Sequence, residues 1–213
     1  MPVFNDSNRE KIQDFLNDMK NDVTIVFFTQ EMECEACSQT RQFVTELSEL
    51  HNKLNLKIYD FVKDEEKAKE LGLEQIPAIT LLTQENRATG IKFYGLPGGY
   101  EINSFLTALV EVSGNQKTLN KDLQSRINKI NKNIDIKIFV TLSCPYCPNA
   151  VIDAHRLALD NKNISAAMIE SSTFPHLANK YNVTGVPKVI INDKEELTGA
   201  QPLEKILDAI DKI

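Results

Sequence analysis

Two short motifs occur twice in this chain of 213 residues, and the same distance separates the two copies of each. Cys-Glu-Ala-Cys at 34–37 is followed by Ile-Pro at 76–77, and Cys-Pro-Tyr-Cys at 144–147 is followed by Val-Pro at 186–187. The second cysteine pair and the second proline each lie 110 residues after the first. An identical offset at two motifs indicates an internal duplication, so we expect two related folding units.

The same order of elements is predicted around both motifs. Each unit opens with an amphipathic helix, continues with a β-branched strand into the cysteine pair, and follows it with a helix. A second strand, a short helix, the proline-started strand and a closing helix complete the unit. In the first unit, the opening helix, the strand before the cysteines, the second strand, the short helix and the closing helix are predicted at 7–19, 23–29, 56–61, 65–71 and 101–112. In the second unit, the same five elements are predicted at 118–131, 134–141, 164–171, 176–181 and 203–213.

The break between the two units is predicted at the soft joint 113–116. We therefore place the first unit at residues 1–115 and the second at residues 116–213. The joint is too short to act as a flexible tether, so the units are expected to pack together. Ser7 or Asp6 is expected to cap the first opening helix, and Thr118 or Asn120 the second.

Composition narrows the class of protein. Hydrophobic residues make up 42 % of the chain, enough for real cores, and the net charge is -6. A nucleic-acid partner is therefore not expected, since general nucleic-acid binders present basic surfaces. No apolar stretch approaches the roughly 18 residues that span a bilayer, and no secretory leader is visible. We expect a cytoplasmic protein without a membrane partner.

All four cysteines belong to the two Cys-x-x-Cys pairs, an arrangement typical of redox sites beside alternating strands and helices. The alternative is a metal site, because two such pairs can supply four thiolates to zinc. Those sites usually separate the pairs by about 15–20 residues, whereas 106 residues lie between Cys37 and Cys144. The redox interpretation is favoured, and a non-enzymatic metal-binding or redox scaffold stays as an alternative.

A strand, a Cys-x-x-Cys and a downstream Ile-Pro or Val-Pro entering a strand resemble the thioredoxin fold. Two complete copies resemble the protein disulfide oxidoreductases, the tandem glutaredoxin-like proteins best known from archaea and some thermophilic bacteria. The resemblance implies an α/β protein of two tandem thioredoxin-like (glutaredoxin-like) units packed together. It also implies a protein dithiol–disulfide oxidoreductase that reduces, forms or exchanges protein disulfides, with a thioredoxin reductase-type flavoprotein as electron donor. The redox-active disulfides would be Cys34–Cys37 and Cys144–Cys147, with no bound cofactor and no metal.

The chain also departs from its relatives. Phe28 and Ile138 stand where many thioredoxins and disulfide isomerases carry a buried acid. Thr-Gly-Ala-Gln at 198–201 stands where glutathione-binding glutaredoxins have a Gly-Gly pair and an acid. A glutathione-dependent glutaredoxin is therefore kept only as an alternative function.

The chemistry of thiol–disulfide exchange assigns a role to each cysteine. The attacking species is a thiolate, and a helix N-terminus lowers the pKa of a thiol placed there. We expect Cys34 and Cys144 to attack, with Cys144 as the principal nucleophile, and Pro145 to occupy the first helical position. Cys37 and Cys147 would resolve the mixed disulfides.

The two downstream prolines are expected to face the substrate. The family pattern implies cis peptide bonds at Ile76-Pro77 and Val186-Pro187, beside the disulfides. Such a bend would leave the backbone of the preceding residue free to pair with an extended substrate segment. Tyr146 lies between the cysteines of the second pair, where it would either stack on a substrate backbone or cover the helix start.

Five acids near the motifs are further candidates. Asp60 and Glu170 each follow the first cysteine of their unit by 26 residues and could relay a proton to the resolving thiol. The simpler interpretation is a strand-end acid that faces water. Glu31, Glu33 and Glu35 surround Cys34, and their charges are expected to raise the pKa of its thiol.

Overall fold

The computed structural model describes residues 2–32 and 34–213, whose eight strands form one continuous sheet. The strands are β1 (Val23–Thr29), β2 (Leu54–Asp60), β3 (Ala78–Leu82), β4 (Ala88–Tyr94), β5 (Ile134–Val140), β6 (Ile164–Glu170), β7 (Lys188–Ile191) and β8 (Glu195–Thr198). Their spatial order is β2-β1-β3-β4-β6-β5-β7-β8. Each half repeats one pattern, in which the strand that leads to the cysteines pairs in parallel with the next strand and antiparallel to the proline-started strand.

Eight helices cover the two faces of this sheet in the described part of the chain. They are α1 (Asp6–Leu16), α2 (Glu35–Ser48), α3 (Glu65–Glu70), α4 (Ile102–Val112), α5 (Lys121–Asn128), α6 (Cys147–Asp160), α7 (Pro175–Lys180) and α8 (Leu203–Asp211). A single turn of 3-10 helix, Gly99–Glu101, precedes α4. The predicted fold, two tandem thioredoxin-like units packed together, is confirmed.

The two opening helices are shorter than predicted. The first ends at Leu16, and its cap is Asn5, whose side chain accepts a hydrogen bond from the Asn8 amide at 2.9 Å, so neither Ser7 nor Asp6 caps it. The second begins only at Lys121, where Asn120 accepts from the Leu123 amide at 2.8 Å. The side-chain oxygen of asparagine in the extended conformation reaches the third amide of the helix, and that contact determines both starts.

The joint between the units is a pair of parallel strands. β4, the last strand of the first half, pairs with β6 of the second half from Ile91 opposite Ala166 to Tyr94 opposite Ile169. Gly90 lies just before this register, and a Cβ atom there would stand 2.6 Å from the Ile164 carbonyl oxygen. Only glycine permits this close approach of two backbones.

Side chains reinforce the same joint. Helix α6 of the second half packs on β4 and on α4 of the first half. Arg156 on α6 donates two hydrogen bonds to Glu111 on α4, at 2.8 and 2.6 Å, and both side chains are largely buried. His155 lies 3.2 Å from the Lys92 carbonyl oxygen and packs edge-on against Phe93.

One apolar cluster extends through both halves on the sheet face covered by α1, α2, α4, α5, α6 and α8. It includes Phe43, Phe93 and Phe105 of the first half and Ile136 and Val151 of the second. A smaller cluster lies on the opposite face, beneath α3 and α7. The large cluster contains residues from both sides of the boundary between 115 and 116. The division into folding units 1–115 and 116–213 therefore stays a prediction. Within the described residues, no helix is both long and apolar enough to cross a bilayer.

Candidate functional site

Both cysteine pairs lie at the same edge of the sheet. β1, β4, β6 and β5 all run in one direction, so the loops that follow β1 and β5 leave the sheet together. Cys34–Cys37 and Cys144–Cys147 are both closed as disulfides. Four strand spacings separate β1 from β5 in the sheet order, which places the two sites about 19 Å apart at about 4.8 Å per spacing.

The first pair begins helix α2. Cys34 is the residue that precedes the helix and is partly exposed, whereas Cys37 is only 2 % exposed. A cleft of about 430 Å³ opens beside Cys34. Its lining residues are Cys34, Glu35, Ala36, Gln39, Ile76, Pro77, Ser172 and Thr173. The cleft therefore joins the predicted nucleophile and the predicted proline to a loop of the other half of the chain.

The second pair differs in its relation to the helix. α6 begins at Cys147, so Cys144 lies three residues before the first helical residue. The expectation that Pro145 takes the first helical position is wrong, because Pro148 occupies the first turn instead. Proline in the first turn removes an amide that the helix leaves unbonded. Cys147 is fully buried, Cys144 is 8 % exposed, and Tyr146 between them projects into solvent.

Both predicted proline peptide bonds, Ile76-Pro77 and Val186-Pro187, are cis. Ile76 and Pro77 line the cleft beside Cys34. In the second half, the sulfur of Cys144 lies 3.9 Å from the carbonyl oxygen of Val186. Each disulfide is thus next to the backbone of the residue that precedes a cis-proline.

The carboxylates of Asp60 and Glu170 are occupied by their own loops. Asp60 accepts hydrogen bonds from the Val62 and Lys63 amides at 3.0 and 2.9 Å, and the Lys63 bond is the main cause that lowers its pKa from the ordinary value. Glu170 accepts from the amides of Ser172 and Thr173, at 3.1 and 2.6 Å, and from the Thr173 hydroxyl at 2.6 Å.

Glu101 is a buried acid that no motif in the sequence indicates. Its side chain is fully buried, one carboxyl oxygen contacts the Ser104 hydroxyl, and the other has no hydrogen-bond partner. Burial raises the pKa of Glu101 to about 7. The turn Gly99–Glu101 packs against α6, and the Tyr100 amide donates to the Leu142 carbonyl two residues before Cys144. The turn that carries Glu101 thus lies beside the helix that begins at Cys147.

Of the three glutamates around Cys34, Glu31 and Glu35 are exposed, and Glu33 lies outside the described residues. A four-thiolate metal site would need both cysteine pairs in one coordination sphere, and the sheet holds them four strand spacings apart. Within residues 2–32 and 34–213, no group of three or more His, Cys, Asp or Glu side chains is placed to hold a metal ion.

Comparison with known proteins agrees with this geometry. Residues 134–212 match the model of a thioredoxin domain family. The crystal structure of the NTD_N/C domain of alkylhydroperoxide reductase AhpF from Enterococcus faecalis is 30 % identical, with a TM-score of 0.91 over 97 % of this chain and 99 % of that one. A protein disulfide oxidoreductase from Aeropyrum pernix is 26 % identical, with a TM-score of 0.88 over 96 % of this chain and 90 % of that one.

A curated relative extends beyond this chain. The AhpF component of alkyl hydroperoxide reductase from Staphylococcus aureus is 25 % identical over 83 % of this chain, but the match covers only 32 % of that protein. The chain therefore spans about a third of the length of the curated relatives it matches first. Two Cys-x-x-Cys disulfides on one sheet edge, and likeness along nearly the whole chain, identify it as a thiol–disulfide oxidoreductase. The chain belongs to the family of tandem thioredoxin-fold proteins that includes the AhpF domain of Enterococcus faecalis and the protein disulfide oxidoreductases.

Proposed function

We propose that this chain reduces, forms or exchanges disulfides in protein substrates, with Cys144 as the principal attacking thiol and Cys147 as the resolving thiol. Cys34 and Cys37 take the same two roles at the first site. The observation that carries this proposal is the unequal burial of each pair. The first cysteine is the more accessible one in both pairs, while Cys37 and Cys147 are 2 % and 0 % exposed.

One catalytic cycle transfers two electrons. The thiolate of Cys144 attacks one sulfur of a substrate disulfide, which forms a mixed disulfide and releases the other substrate sulfur as a thiolate. Cys147 then attacks the sulfur of Cys144 and releases the second substrate thiolate. The substrate gains two electrons and two protons, and the chain is left with the Cys144–Cys147 disulfide.

The backbone beside each cis-proline is proposed to hold the substrate. An extended segment can pair with the main chain of Ile76 or Val186, which places its disulfide next to the attacking sulfur. The 3.9 Å separation between the Cys144 sulfur and the Val186 oxygen supports this placement. Pro77 and Pro187 keep those groups free of strand pairing, and the exposed Tyr146 would lie along the bound segment.

The electron donor is proposed to be a flavoprotein of the thioredoxin reductase type. Neither disulfide can be regenerated to a dithiol without an outside source of two electrons. The relatives named as components of an alkyl hydroperoxide reductase support a further proposal, that these electrons finally serve the reduction of an alkyl hydroperoxide. The chain would carry them by way of a protein disulfide.

Proton transfer to the resolving thiol has three candidate groups. The relay predicted for Asp60 and Glu170 stays a prediction. Both carboxylates accept amide hydrogen bonds from their own loops, and the bond from Lys63 lowers the pKa of Asp60. Glu101 has the opposite environment, since burial raises its pKa to about 7. We propose that Glu101, which belongs to the turn packed against α6, takes the proton of Cys147 when that thiol attacks. A base with a pKa near the working pH transfers protons best.

Serine variants of single cysteines test the assignment. Cys147→Ser should accumulate mixed disulfides with a protein substrate, because attack survives and resolution does not, whereas Cys144→Ser should accumulate none. Cys144→Ser should also lose most of the insulin-disulfide reduction that dithiothreitol supports, and Cys34→Ser should lose less. Trapping by Cys144→Ser and none by Cys147→Ser would reverse the roles. Reduction that depends strictly on glutathione would favour the glutaredoxin alternative.

A further inference from the structure

The two redox sites differ in one wall. The cleft beside Cys34 includes Ser172 and Thr173, which belong to the loop between β6 and α7 in the second half of the chain. This loop reaches the first site because β6 pairs with β4, so the end of β6 stands next to the end of β4. The first site is therefore composite, built from both halves of the duplication.

The loop is held in place from two sides. Glu170 accepts three hydrogen bonds from Ser172 and Thr173, all between 2.6 and 3.1 Å. Phe174, next in the chain, is 3 % exposed and packs edge-on against Tyr94 of the first half, with ring centroids 6.1 Å apart. A wall fixed by these contacts is organised before any substrate arrives, which lowers the cost of binding.

Two equivalent glycines show that the second site lacks this wall. Gly95 donates to the Pro77 carbonyl at 2.9 Å, and Gly199 donates to the Pro187 carbonyl at 2.8 Å, so they occupy matching places. A Cβ atom on Gly95 would stand 2.8 Å from the Glu170 Cβ and 3.5 Å from the Thr173 hydroxyl oxygen. The same atom on Gly199 would meet nothing within 4 Å.

The lining of the composite cleft indicates its ligand. Its lining includes the hydroxyls of Ser172 and Thr173, the amide of Gln39 and the carboxylate of Glu35, and no basic residue among those that the structure describes. Glu31 adds a second exposed carboxylate in the loop before Cys34. Such a surface attracts positive groups and hydrogen-bond donors and repels ligands rich in carboxylates.

We propose that the loop 172–173 determines the specificity of the first site, and that this site prefers polypeptide disulfides flanked by basic residues. This inference rests on the proposed exchange of protein disulfides at Cys34–Cys37. The thiolate of Cys34 attacks the peptide disulfide, Cys37 completes the exchange, and two electrons pass to the peptide. During the attack, the peptide lies between Ile76 and the loop, with its basic side chain toward Glu35.

Single-site forms of the full chain separate the two sites. Cys144→Ser with Cys147→Ser leaves only the first site active, and Cys34→Ser with Cys37→Ser leaves only the second. Each form, reduced beforehand, is mixed with synthetic peptide disulfides flanked by lysine, by serine or by glutamate, and with bis(2-hydroxyethyl) disulfide. The first site should reduce the lysine peptide about tenfold faster than the glutamate peptide, and salt should shrink this ratio because it screens the carboxylates.

Substitution of Ser172 then tests the wall itself. Ser172→Trp should slow the reduction of the peptides by the first site about tenfold, because a bulky ring narrows the cleft, and should slow the reduction of bis(2-hydroxyethyl) disulfide less. The redox equilibrium constant of Cys34–Cys37 should change less than twofold. Ser172→Arg should bring the rates of the lysine and glutamate peptides together, since it adds a positive charge to a cleft whose lining carboxylate is that of Glu35. In the form with only the second site active, both variants should reduce every peptide at the unchanged rate.

The remaining outcomes would contradict either the composite site, the preference for basic flanks or the proposed function. Equal slowing of both single-site forms by Ser172→Trp, or no slowing of either, would overturn the composite site. Faster reduction of the glutamate peptide, or of glutathione disulfide, by the unsubstituted first site would overturn the proposed preference for basic flanks. Failure of both single-site forms to reduce any peptide would count against the proposed function itself.

Discussion

The buried carboxyl of Glu101 makes the stability of the fold depend on pH. It is fully buried with one oxygen unpaired, and burial raises its pKa to about 7. A carboxyl whose pKa is raised in the folded state stabilises the fold below its unfolded pKa, and this contribution is lost as the pH rises through the folded value. Stability should therefore fall from pH 4.5 through pH 7 on account of this residue.

Glu101→Gln removes that dependence. The free energy of unfolding of the variant should decline less between about pH 5 and pH 8 than that of the wild type, by on the order of 3 kcal/mol at most. Urea titrations at a series of pH values measure this, with Glu10→Gln on the exposed side of α1 as the control. Identical pH profiles for wild type and Glu101→Gln would show that the carboxyl is ionised throughout. In stopped-flow assays, resolution by Cys147 should also slow.

For single residues, the sequence predicts which side chains react better than it predicts which side chains are buried. The cysteines and prolines are identifiable because their types and spacing are specific to the reaction. Glu101 is not, since an acid two residues after a glycine pair at a helix start is usually a solvated residue of the first turn. The turn that carries it packs against α6, whose sequence begins 46 residues later. The same holds for Ser172 and Thr173, which in the sequence are ordinary loop residues.

Among the elements, the pairing of β4 with β6 decides how the halves are joined. Gly90 has φ +75° and faces the Ile164 carbonyl, while Gly199 has a similar φ of +78° and open space around it. The two glycines share the same backbone strain on substitution but differ in what a new side chain would meet. His155 at the same joint stays neutral, because burial lowers its pKa to about 3, so the joint does not depend on a charged imidazole near neutral pH.

Gly90→Ala should destabilise the chain more than Gly199→Ala. Both variants force a side chain into the left-handed region, at roughly 1–2 kcal/mol. Gly90→Ala adds a clash with backbone that cannot move freely, for a total of roughly 2–4 kcal/mol. Urea denaturation of both proteins measures the difference, and we expect one cooperative transition in each because the large core spans both halves. An equal decrease in the free energy of unfolding in both variants would mean that β4 and β6 can move apart to accommodate the new Cβ atom without a measurable cost.

Element positions follow from the sequence more closely than element ends. β1 is predicted to the residue, since its β-branched run stops at the loop before the cysteines. The helices after the two cysteine pairs differ although the motifs align, because α2 starts directly after Cys34 and α6 three residues after Cys144. The pairing of β4 with β6 has no sequence signal, since either outer strand of a unit can accept a neighbour.

For the molecule as a whole, the separation of the two sites limits how electrons can move. Exchange between two sulfur atoms requires Cα atoms within about 7 Å, whereas about 19 Å of continuous sheet lies between the cysteine pairs. A rigid sheet offers no hinge between them. Electrons should therefore pass from one site to the other only through a second molecule, either a client or another copy of the chain.

A variant that keeps one cysteine at each site tests this limit. In Cys37→Ser with Cys147→Ser, mild oxidation should link Cys34 and Cys144 only between chains, and dilution should suppress the product. Non-reducing electrophoresis and mass spectrometry distinguish such dimers from a monomer with an internal Cys34–Cys144 bond. Accumulation of that monomer in dilute solution would show that the two halves move apart or rotate. The wild type, which closes each pair within its own site, is the control.

The parallel contact of β4 with β6 joins two different surfaces of the repeated unit, the last strand of one and the second strand of the next. A contact of this heterologous kind can be repeated along a chain. The surface that β4 offers to β6 is offered again by β8, so a third unit could be added by the same translation. In a chain of n such units, each unit except the last would receive a loop from the next unit at its redox site. The site of the last unit would always lack this loop. β8, which corresponds to β4, has only four residues and carries two adjacent glutamates, Glu195 and Glu196. Their charge discourages the pairing of another strand with this edge. Duplication thus made two unlike sites from one ancestral design without any change in the reacting cysteines.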